Sequence, residues 1–211
     1  MWRVTEPRRN RKVEQGEQTR VALLAAAREL FAAQGFAATS TEEIVRRAAV
    51  TRGALYHHFA DKEAIFRAVF EQIEAEMCGV VLAAAAKGAD PVDRLLRGTR
   101  AYLDLCTEPT VRRIALQEGP AVLGWETWHE IDSAYFFGIL AGGVREAMRA
   151  GQIAKQPLEP LTHLLVGAIM QAAMVLARAE DVQSEKRRLE RSFRRLVDGL
   201  RAPAGGAAQA R

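Results

Sequence analysis

Cysteine is scarce in this chain of 211 residues, which contains only Cys78 and Cys106. The two cysteines are far apart and show neither the spacing of a zinc site nor that of a redox motif. This pattern excludes a small secreted scaffold held together by disulfides. We expect two buried thiols in a protein of the reducing cytoplasm, with no metal ion and no cofactor.

Long apolar runs and strand signals are also lacking. No apolar run reaches the roughly 18 residues of a membrane span, and the chain does not start with the charged, apolar and small segments of a signal peptide. Residues that favour helices dominate, and 49% of the chain is hydrophobic. We therefore expect an all-α protein with a large core and no membrane partner. The segment 202–211, rich in Ala and Gly, is predicted to be a disordered tail.

An amphipathic helix is predicted over residues 18–34, after a basic flexible arm at 1–17. Its apolar residues recur at spacings of three and four, and Gly35 follows in the position that commonly ends a helix. The apolar residues are Leu23, Leu24, Ala27, Leu30 and Phe31.

A second, short helix is predicted to begin at Ser40 or Thr41. Glu42 and Glu43 would lie at its positive end, where carboxylates are favoured. A turn at residues 49–50 then separates it from a third helix.

A third, very short helix is predicted within residues 51–62, and the Thr51 hydroxyl can cap its first turn. Leu55 and Phe59 are four residues apart, so they share one face and can be buried together. A supporting helix followed by two short helices is the helix-turn-helix plan, in which the last helix enters the major groove of DNA.

Residues 19–70 resemble the DNA-binding domain of the TetR (tetracycline repressor) family. The resemblance rests on the string Ala26 to Phe31 with Gly35-Phe36, on Thr39 and Thr41 through Ile44, on the string Ala48 to Phe59, and on Lys62-Glu63. One position departs from the family pattern, because Ala49 stands where a glycine is usual. If this residue needs a positive φ, alanine costs roughly 1 kcal/mol there.

The resemblance implies a fold of two parts: an N-terminal three-helix helix-turn-helix domain at 18–64 and a helical effector-binding and dimerisation domain at 65–201. It also implies a homodimer that binds a near-palindromic operator in double-stranded DNA. A small, largely apolar effector is expected to release the dimer from this operator. Repression is the expected mode, and activation stays open.

The charge distribution agrees with a DNA-binding head. Residues 1–67 contain 12 Lys and Arg against 8 Asp and Glu, whereas the remaining 144 residues contain 18 of each. The net charge of +4 therefore falls in the N-terminal third, as expected of a protein that binds phosphates. The arm residues Arg8, Arg9, Arg11 and Lys12 either contact DNA or form a solvated tail.

Eight residues are predicted to contact DNA. Arg52 can bind a guanine edge bidentately or pair with a phosphate, and Gly53 allows a close backbone approach. A hydroxyl at a helix N-terminus suits a phosphate. The set is Thr41, Arg46, Arg52, Gly53, Tyr56, His57, His58 and Lys62. The adjacent His57 and His58 point about 100° apart on a helix and cannot hold one metal ion together.

The last two predicted helices, about 158–179 and 184–201, carry the expected dimer interface. The first of them is apolar on more than one face, so a single chain cannot bury it completely. A core helix of a monomer is the alternative. The expected interface residues are Leu165, Ile169, Leu189, Phe193, Leu196 and Val197.

The C-terminal domain is expected to hold an effector pocket, although aromatic and methionine side chains at helical spacing also suit an ordinary core. The candidate lining residues are Tyr102, Trp125, Trp128, His129, Phe136, His163, Met170 and Met174. Two other functions stay open: a structural DNA-binding protein without effector, and a helical enzyme. No catalytic motif favours the enzyme, so we expect neither catalytic residues nor enzyme activity.

Overall fold

A computed structural model describes residues 8–202, with side chains from residue 14 onward. The chain forms two compact units, an N-terminal unit up to Glu71 and a C-terminal unit from Gln72. The described elements are α1 (Arg8–Gln34), α2 (Thr41–Arg47), α3 (Arg52–His58), α4 (Lys62–Ala85), α5 (Pro91–Leu105), α6 (Pro109–Val111), a π-helix (Arg112–Glu118), α7 (Gly119–Leu123), α8 (Trp125–Arg149), α9 (Leu158–Arg178) and α10 (Val182–Gly199).

The first helix begins earlier than the sequence predicted, at Arg8 instead of residue 18. Residues 8–17 are therefore helical and are not a flexible arm. Pro7 precedes the helix in sequence, and the segment is rich in residues that tolerate a helix, which together explain the extension. The other end agrees with the prediction: the Gly35 N–H donates to the Phe31 carbonyl at 3.0 Å, and Gly35 has a φ of 87°.

A capping box begins α2. The Ser40 hydroxyl accepts a hydrogen bond from the Glu43 N–H, and the Glu43 carboxylate accepts one from the Ser40 N–H at 2.9 Å. This backbone hydrogen bond, together with one from the Ser40 hydroxyl, holds the pKa of Glu43 below its usual value. Ser40 is thus the cap, and Thr41 is the first helical residue.

Ala49 makes the turn between α2 and α3 with a φ of 53°. Its N–H donates to the Arg46 carbonyl, and the Val50 N–H donates to the Val45 carbonyl at 3.2 Å. This pair of hydrogen bonds is the Schellman motif, which usually has glycine at this position. The turn therefore keeps the geometry expected of the glycine, and alanine is strained by about 1 kcal/mol.

The core of the N-terminal unit lies where α1, α2, α3 and the first turns of α4 meet. Phe31 and Phe66 are fully buried, and Phe36 packs on both rings at centroid distances of 5.8 and 5.3 Å. Leu55 and Phe59 are buried as their spacing predicted. The inner face of α3 is therefore fixed; Arg52, Gly53, Tyr56 and His57 are exposed, and Ala54 and His58 are half-buried.

The C-terminal unit packs α5, α8, α9 and α10 around one apolar cluster. Asp90 caps α5 by accepting the Asp93 N–H at 2.9 Å, and Pro91 occupies the first turn, where its missing N–H costs no helical hydrogen bond. The cluster consists of Val92, Leu95, Leu96, Val144, Ala147, Ile153, Leu161, Leu165, Phe193 and Val197.

A π-helix over Arg112–Glu118 leads directly into α7, which begins at Gly119. Two of its side chains bind the end of α9: Arg112 donates to the carbonyls of Ala177 and Ala179, and Gln117 donates to Ala177. These contacts satisfy carbonyl groups that the end of a helix leaves without partners.

Helix α9 is long and apolar enough to cross a membrane by length and composition, with a mean hydropathy of 1.6. Polar residues such as Glu159, His163 and Gln171 interrupt the apolar sequence of this helix, so it contains no continuous apolar run of that length. Its buried residues include Leu161, Leu165 and Leu176, which pack inside the unit. We therefore describe α9 as a core helix.

Candidate nucleic-acid interface and ligand cavity

The exposed face of α3 carries ring and guanidinium groups that the fold does not use for packing. Tyr56 is 45% exposed, and Arg52 and His57 are also exposed. The Arg52 guanidinium lies 5.6 Å from the centre of the Tyr56 ring. Its Nη1 is 3.8 Å from an oxygen of Glu42, an exposed pair that contributes little to stability. The helix thus presents donors to solvent at little structural cost.

Gly53 lies on the same exposed face, in the first turn of α3. A Cβ placed on it would meet no atom within 4 Å. The packing of the unit therefore gives no reason for a glycine here.

The two arginines of α2 differ in their surroundings. Arg47 Nη2 pairs with Glu29 of α1 at 2.6 Å, whereas Arg46 is exposed and influences Glu43 only at longer range. Arg46 therefore remains the better candidate for a phosphate contact. Thr41 is half-buried, and its hydroxyl donates to Glu42 at 3.2 Å.

Lys62 makes contacts inside the unit that the sequence did not predict. Its Nζ donates to the carbonyls of Phe36 and Thr39, both at 2.8 Å, and lies 4.2 Å from the centre of the Phe36 ring. Since an ammonium group has three donors, one remains for a phosphate. The residue also holds the α1–α2 loop.

The excess of positive charge is confined to a shorter segment than the count over residues 1–67 suggested. Residues 14–67 contain seven basic and seven acidic side chains, so the excess of four lies within residues 1–13. The side chains of Arg8, Arg9, Arg11 and Lys12 lie outside the described part of the structure. The positive footprint therefore belongs to the start of α1 and does not coincide with the helix-turn-helix.

A cavity of about 530 Å³ lies in the C-terminal unit between α4, α5, α8 and α9. Its wall is mostly aliphatic, with Val81 and Leu82 from α4 and Ile169 and Met170 from α9. Volume and lining are typical of a site for a small organic molecule. At one end Arg94 and Glu146 form an exposed ion pair at 3.4 Å.

Asp132 of α8 is the buried carboxyl group in the cavity wall, with 5% of its surface exposed. Its Oδ1 accepts a long hydrogen bond of 3.5 Å from the Tyr102 hydroxyl. Burial raises the pKa of Asp132 to about 6, although the Tyr102 hydrogen bond acts in the opposite direction.

Glu74 of α4 is buried near Asp132, and its Oε2 has no hydrogen-bond partner. Burial, followed by the negative charge of Asp132, raises the pKa of Glu74 well above its usual value. Burial likewise raises the pKa of the Tyr102 hydroxyl and of the Cys106 thiol. Two carboxyl groups therefore share a site of low polarity.

Two family models match the two units separately. Residues 23–69 match the model described as "Bacterial regulatory proteins, tetR family", and residues 92–200 match the "Tetracyclin repressor-like, C-terminal domain". The crystal structure of a TetR-family transcriptional regulator from Pectobacterium atrosepticum is 32% identical, with a TM-score of 0.80. The match covers 89% of this chain and 96% of that one.

The chain belongs to the TetR family of transcriptional regulators. Among curated relatives, the TetC protein of transposon Tn10 from Escherichia coli is 26% identical over 84% of this chain and 90% of its own length. The regulator AcrR of Shigella flexneri is 40% identical over 39% of each chain. The all-α fold, with a helix-turn-helix unit and a helical C-terminal unit, is confirmed.

The cavity of this TetR-family protein contains three of the eight predicted pocket residues, Tyr102, Phe136 and Met170. Trp128 instead belongs to the core: it is 1% exposed, and its Nε1 donates to the Ala115 carbonyl at 2.7 Å. Met174 lies in a separate depression beside Arg112.

The other three predicted pocket residues also lie outside the cavity wall. Trp125 is 54% exposed and stacks on His129 at a centroid distance of 6.0 Å. His163 is exposed on α9 and packs on the Phe137 ring at 4.7 Å. Aromatic character predicted burial, but it could not tell which face of α8 or α9 meets the cavity.

Three predicted interface residues are buried inside the protomer. Leu165 and Val197 are 1% and 0% exposed, and Phe193 is 9% exposed, so all three pack in the apolar cluster and cannot face a second subunit. Leu189 and Ile169 are half-buried. The large exposed apolar side chains of the two helices are Leu164 and Leu196.

The sequence missed Asp132 and Glu74 as site residues. Each lies on a helix that contains several other acidic residues, so the sequence does not show which of these acids faces the interior. Their helical positions are 58 residues apart in the chain. Glu74 interrupts the apolar period of α4 between Ile73 and Met77, but Glu76 lies in the same interval, so this signal does not single out Glu74.

Proposed function

We propose that this protein is a sequence-specific transcriptional repressor that leaves its operator when a small, largely apolar molecule occupies the cavity. The observation that carries the proposal is the exposed face of α3, where Arg52, Gly53, Tyr56 and His57 serve no packing role. A helix of this kind fits the major groove, with Arg52 reading a base edge. We place the protein in the cytoplasm, where operator DNA lies.

The repressor acts as a homodimer that binds a near-palindromic site. Two-fold symmetry presents two copies of α3, which read half-sites about 34–36 Å apart, one turn of DNA. The exposed faces of α9 and α10, with Leu164 and Leu196, form the interface. Apolar side chains of this size on neighbouring helices favour burial against a partner.

Helix α4 couples effector to operator because it serves both units. Its first turns contribute Ile65, Phe66 and Phe70 to the core of the N-terminal unit, and its last turns contribute Val81 and Leu82 to the cavity. An effector that favours one position of this helix shifts the population away from the DNA-binding state.

Selection from a random duplex library tests the proposal, followed by footprinting at physiological salt with excess competitor DNA. We expect a protected near-palindrome. Selection of no sequence over random duplex would contradict a specific regulator and favour a structural DNA-binding protein.

Single substitutions then test the docking face. Tyr56→Ala is expected to weaken operator binding without changing the oligomeric state. Arg52→Ala is expected to relax base preference at one position of each half-site, by about 1–3 kcal/mol if the contact is bidentate; a uniform loss over all sequences would make it a phosphate contact. Lys62→Ala is a poorer probe because it also releases the α1–α2 loop. Arg67→Ala, on an exposed i,i+4 pair with Glu71, is the control.

A further inference from the structure

The cavity wall contains the carboxyl group of Asp132, and the buried carboxyl of Glu74 lies close to it outside the wall. Asp132 has a single hydrogen bond, at Oδ1, and Glu74 Oε2 has none. Among the described residues neither carboxyl forms an ion pair, and the cavity's own cation, Arg94, is paired with Glu146 at the exposed end. A buried charge without a partner is strongly destabilising.

The stability of the fold gives no reason for these two acids. Uncharged side chains of similar volume at the same positions would remove the desolvation penalty. Because pKa values that burial raises are typical of functional sites as well as of structural clusters, the geometry must decide between the two. Here the geometry joins a half-satisfied carboxylate to a cavity large enough for a ligand.

The groups beside Asp132 also suit a cation. The Tyr102 and Phe136 rings both line the cavity and meet edge to face at a centroid distance of 5.1 Å. Aromatic rings attract positive charge, and the attraction increases where water is excluded. A neutral hydroxyl could satisfy one oxygen of Asp132, but it would leave the negative charge in place.

We propose that the effector carries a compact cationic group, such as a protonated amine, that binds Asp132 in front of the buried Glu74 while its apolar body fills the cavity between α4, α5, α8 and α9. This inference rests on the proposed function, in which the cavity holds the effector. Since Glu74 is on α4, neutralisation of the pair acts directly on the helix that both units share.

Matched probes test the inference on the full-length protein. The probes are phenethylamine, 3-phenylpropylamine and 4-phenylbutylamine, each compared with the alcohol of the same carbon skeleton by calorimetry at pH 7.5. We expect at least one amine to bind about tenfold or more tightly than its alcohol, since hydrogen bonds to charged groups are stronger than neutral ones. Alcohols that bind as tightly as the amines, or amines that do not bind, would overturn the inference.

Two variants locate the charge. Asp132→Asn keeps the shape of the side chain and the acceptor for Tyr102, so it is expected to abolish the preference for amines and to leave alcohol affinity unchanged. Glu74→Gln is the second variant, and Glu130→Gln, at an exposed position of α8 outside the cavity wall, is the control that should keep the preference. A preference that survives in Asp132→Asn places the cation elsewhere and contradicts the proposal.

A DNA assay separates this inference from the proposed function. The selected duplex is titrated with protein in the presence and absence of the tightest amine, which is expected to lower DNA affinity at least tenfold. Failure to bind any duplex specifically would refute the proposed function whatever the amines do. Specific DNA binding together with no preference for amines would refute the cationic effector alone.

Discussion

The two units of the chain use their polar side chains in opposite ways. The N-terminal unit directs Arg52, Tyr56 and His57 outward from a short helix, whereas the C-terminal unit buries Glu74 and Asp132 beside a cavity. Exposed donors can bind DNA, because its phosphates are charged and stay in contact with water. A small ligand has to replace water completely, so its partners are held in an apolar wall.

The two sites also differ in their effect on the stability of the protein. Exposed donors on α3 change stability little, since solvent screens their charge. Buried carboxyls lower stability until a ligand compensates them. The exposed donors on α3 therefore cost the free protein little stability, whereas the buried carboxyls cost it stability that a bound cation would restore.

The largest effect is expected at the proposed interface, where a charge would be buried between subunits. Leu164→Glu and Leu196→Glu are expected to yield monomers, because an uncompensated buried charge costs about 3–5 kcal/mol. Sedimentation at micromolar concentration measures the state. Val80→Glu, at a side chain 47% exposed on α4, is the matched control. Dimers in both interface variants, or monomers in the control, would move the interface away from α9 and α10.

The next effect concerns the buried acids. The folded-state pKa of Asp132 is raised from 3.8 to about 6, so the folded protein binds more protons than the unfolded chain between these values. Stability should therefore fall as pH rises from 4 to 6. Asp132→Asn removes this loss and is expected to stabilise the protein by up to about 3 kcal/mol at pH 7–8.

The gain from Asp132→Asn should disappear below pH 4, where Asp132 is protonated in both states. Urea unfolding at pH 4, 6 and 8 checks it. Glu74 from α4 and the Tyr102 and Cys106 groups from α5 face the same site, and the raised pKa of Glu74 gives a loss of the same sign. An equal effect of the substitution at all three pH values would show that charge is not the cause.

A smaller effect, which arises from backbone strain and not from charge, is expected in the turn before α3. Ala49→Gly removes a left-handed strain and should stabilise the N-terminal unit by about 1 kcal/mol. Ala48→Gly is the control, since Ala48 has a φ of −76° and glycine there should destabilise. Hydrogen exchange of the α2 and α3 amides reports both. Destabilisation by both changes would mean that the turn is not strained at Ala49.

The sequence predicts the N-terminal unit well because its evidence is contiguous. The caps, the turn and the buried pair Leu55 and Phe59 lie within about twenty residues, and each has a local physical signature. The start of α1 was missed because polar residues that tolerate a helix also suit a flexible arm. Its true start depends on no apolar pattern.

The cavity could not be predicted in the same way because four helices that are distant in sequence build it. Periodicity shows that Trp128 and Met174 are apolar positions, yet it does not show which neighbour they meet. Trp128 packs on the π-helix through Ala115 and on the start of α7, where a Cβ on Gly119 would lie 2.8 Å from the indole ring. Helix α9 has apolar residues on two faces, so the sequence could not separate core Leu165 from exposed Leu164.

The smallest change in stability, and the sharpest separation of binding from folding, is expected at Gly53. A methyl group there meets nothing, and alanine favours a helix over glycine by up to about 1 kcal/mol, less in a first turn. Gly53→Ala should therefore leave stability unchanged or slightly higher while it weakens operator binding, because the methyl group prevents close approach of DNA. Gly79→Ala in α4 is the matched control: it also meets nothing within 4 Å, and it should stabilise the protein without changing DNA affinity. Titration of the selected duplex, with unfolding measured on the same samples, distinguishes the two. Equal DNA affinity in both variants would show that the backbone at Gly53 does not contact DNA, and the docking face would then have to be drawn around Tyr56 and Arg46 instead.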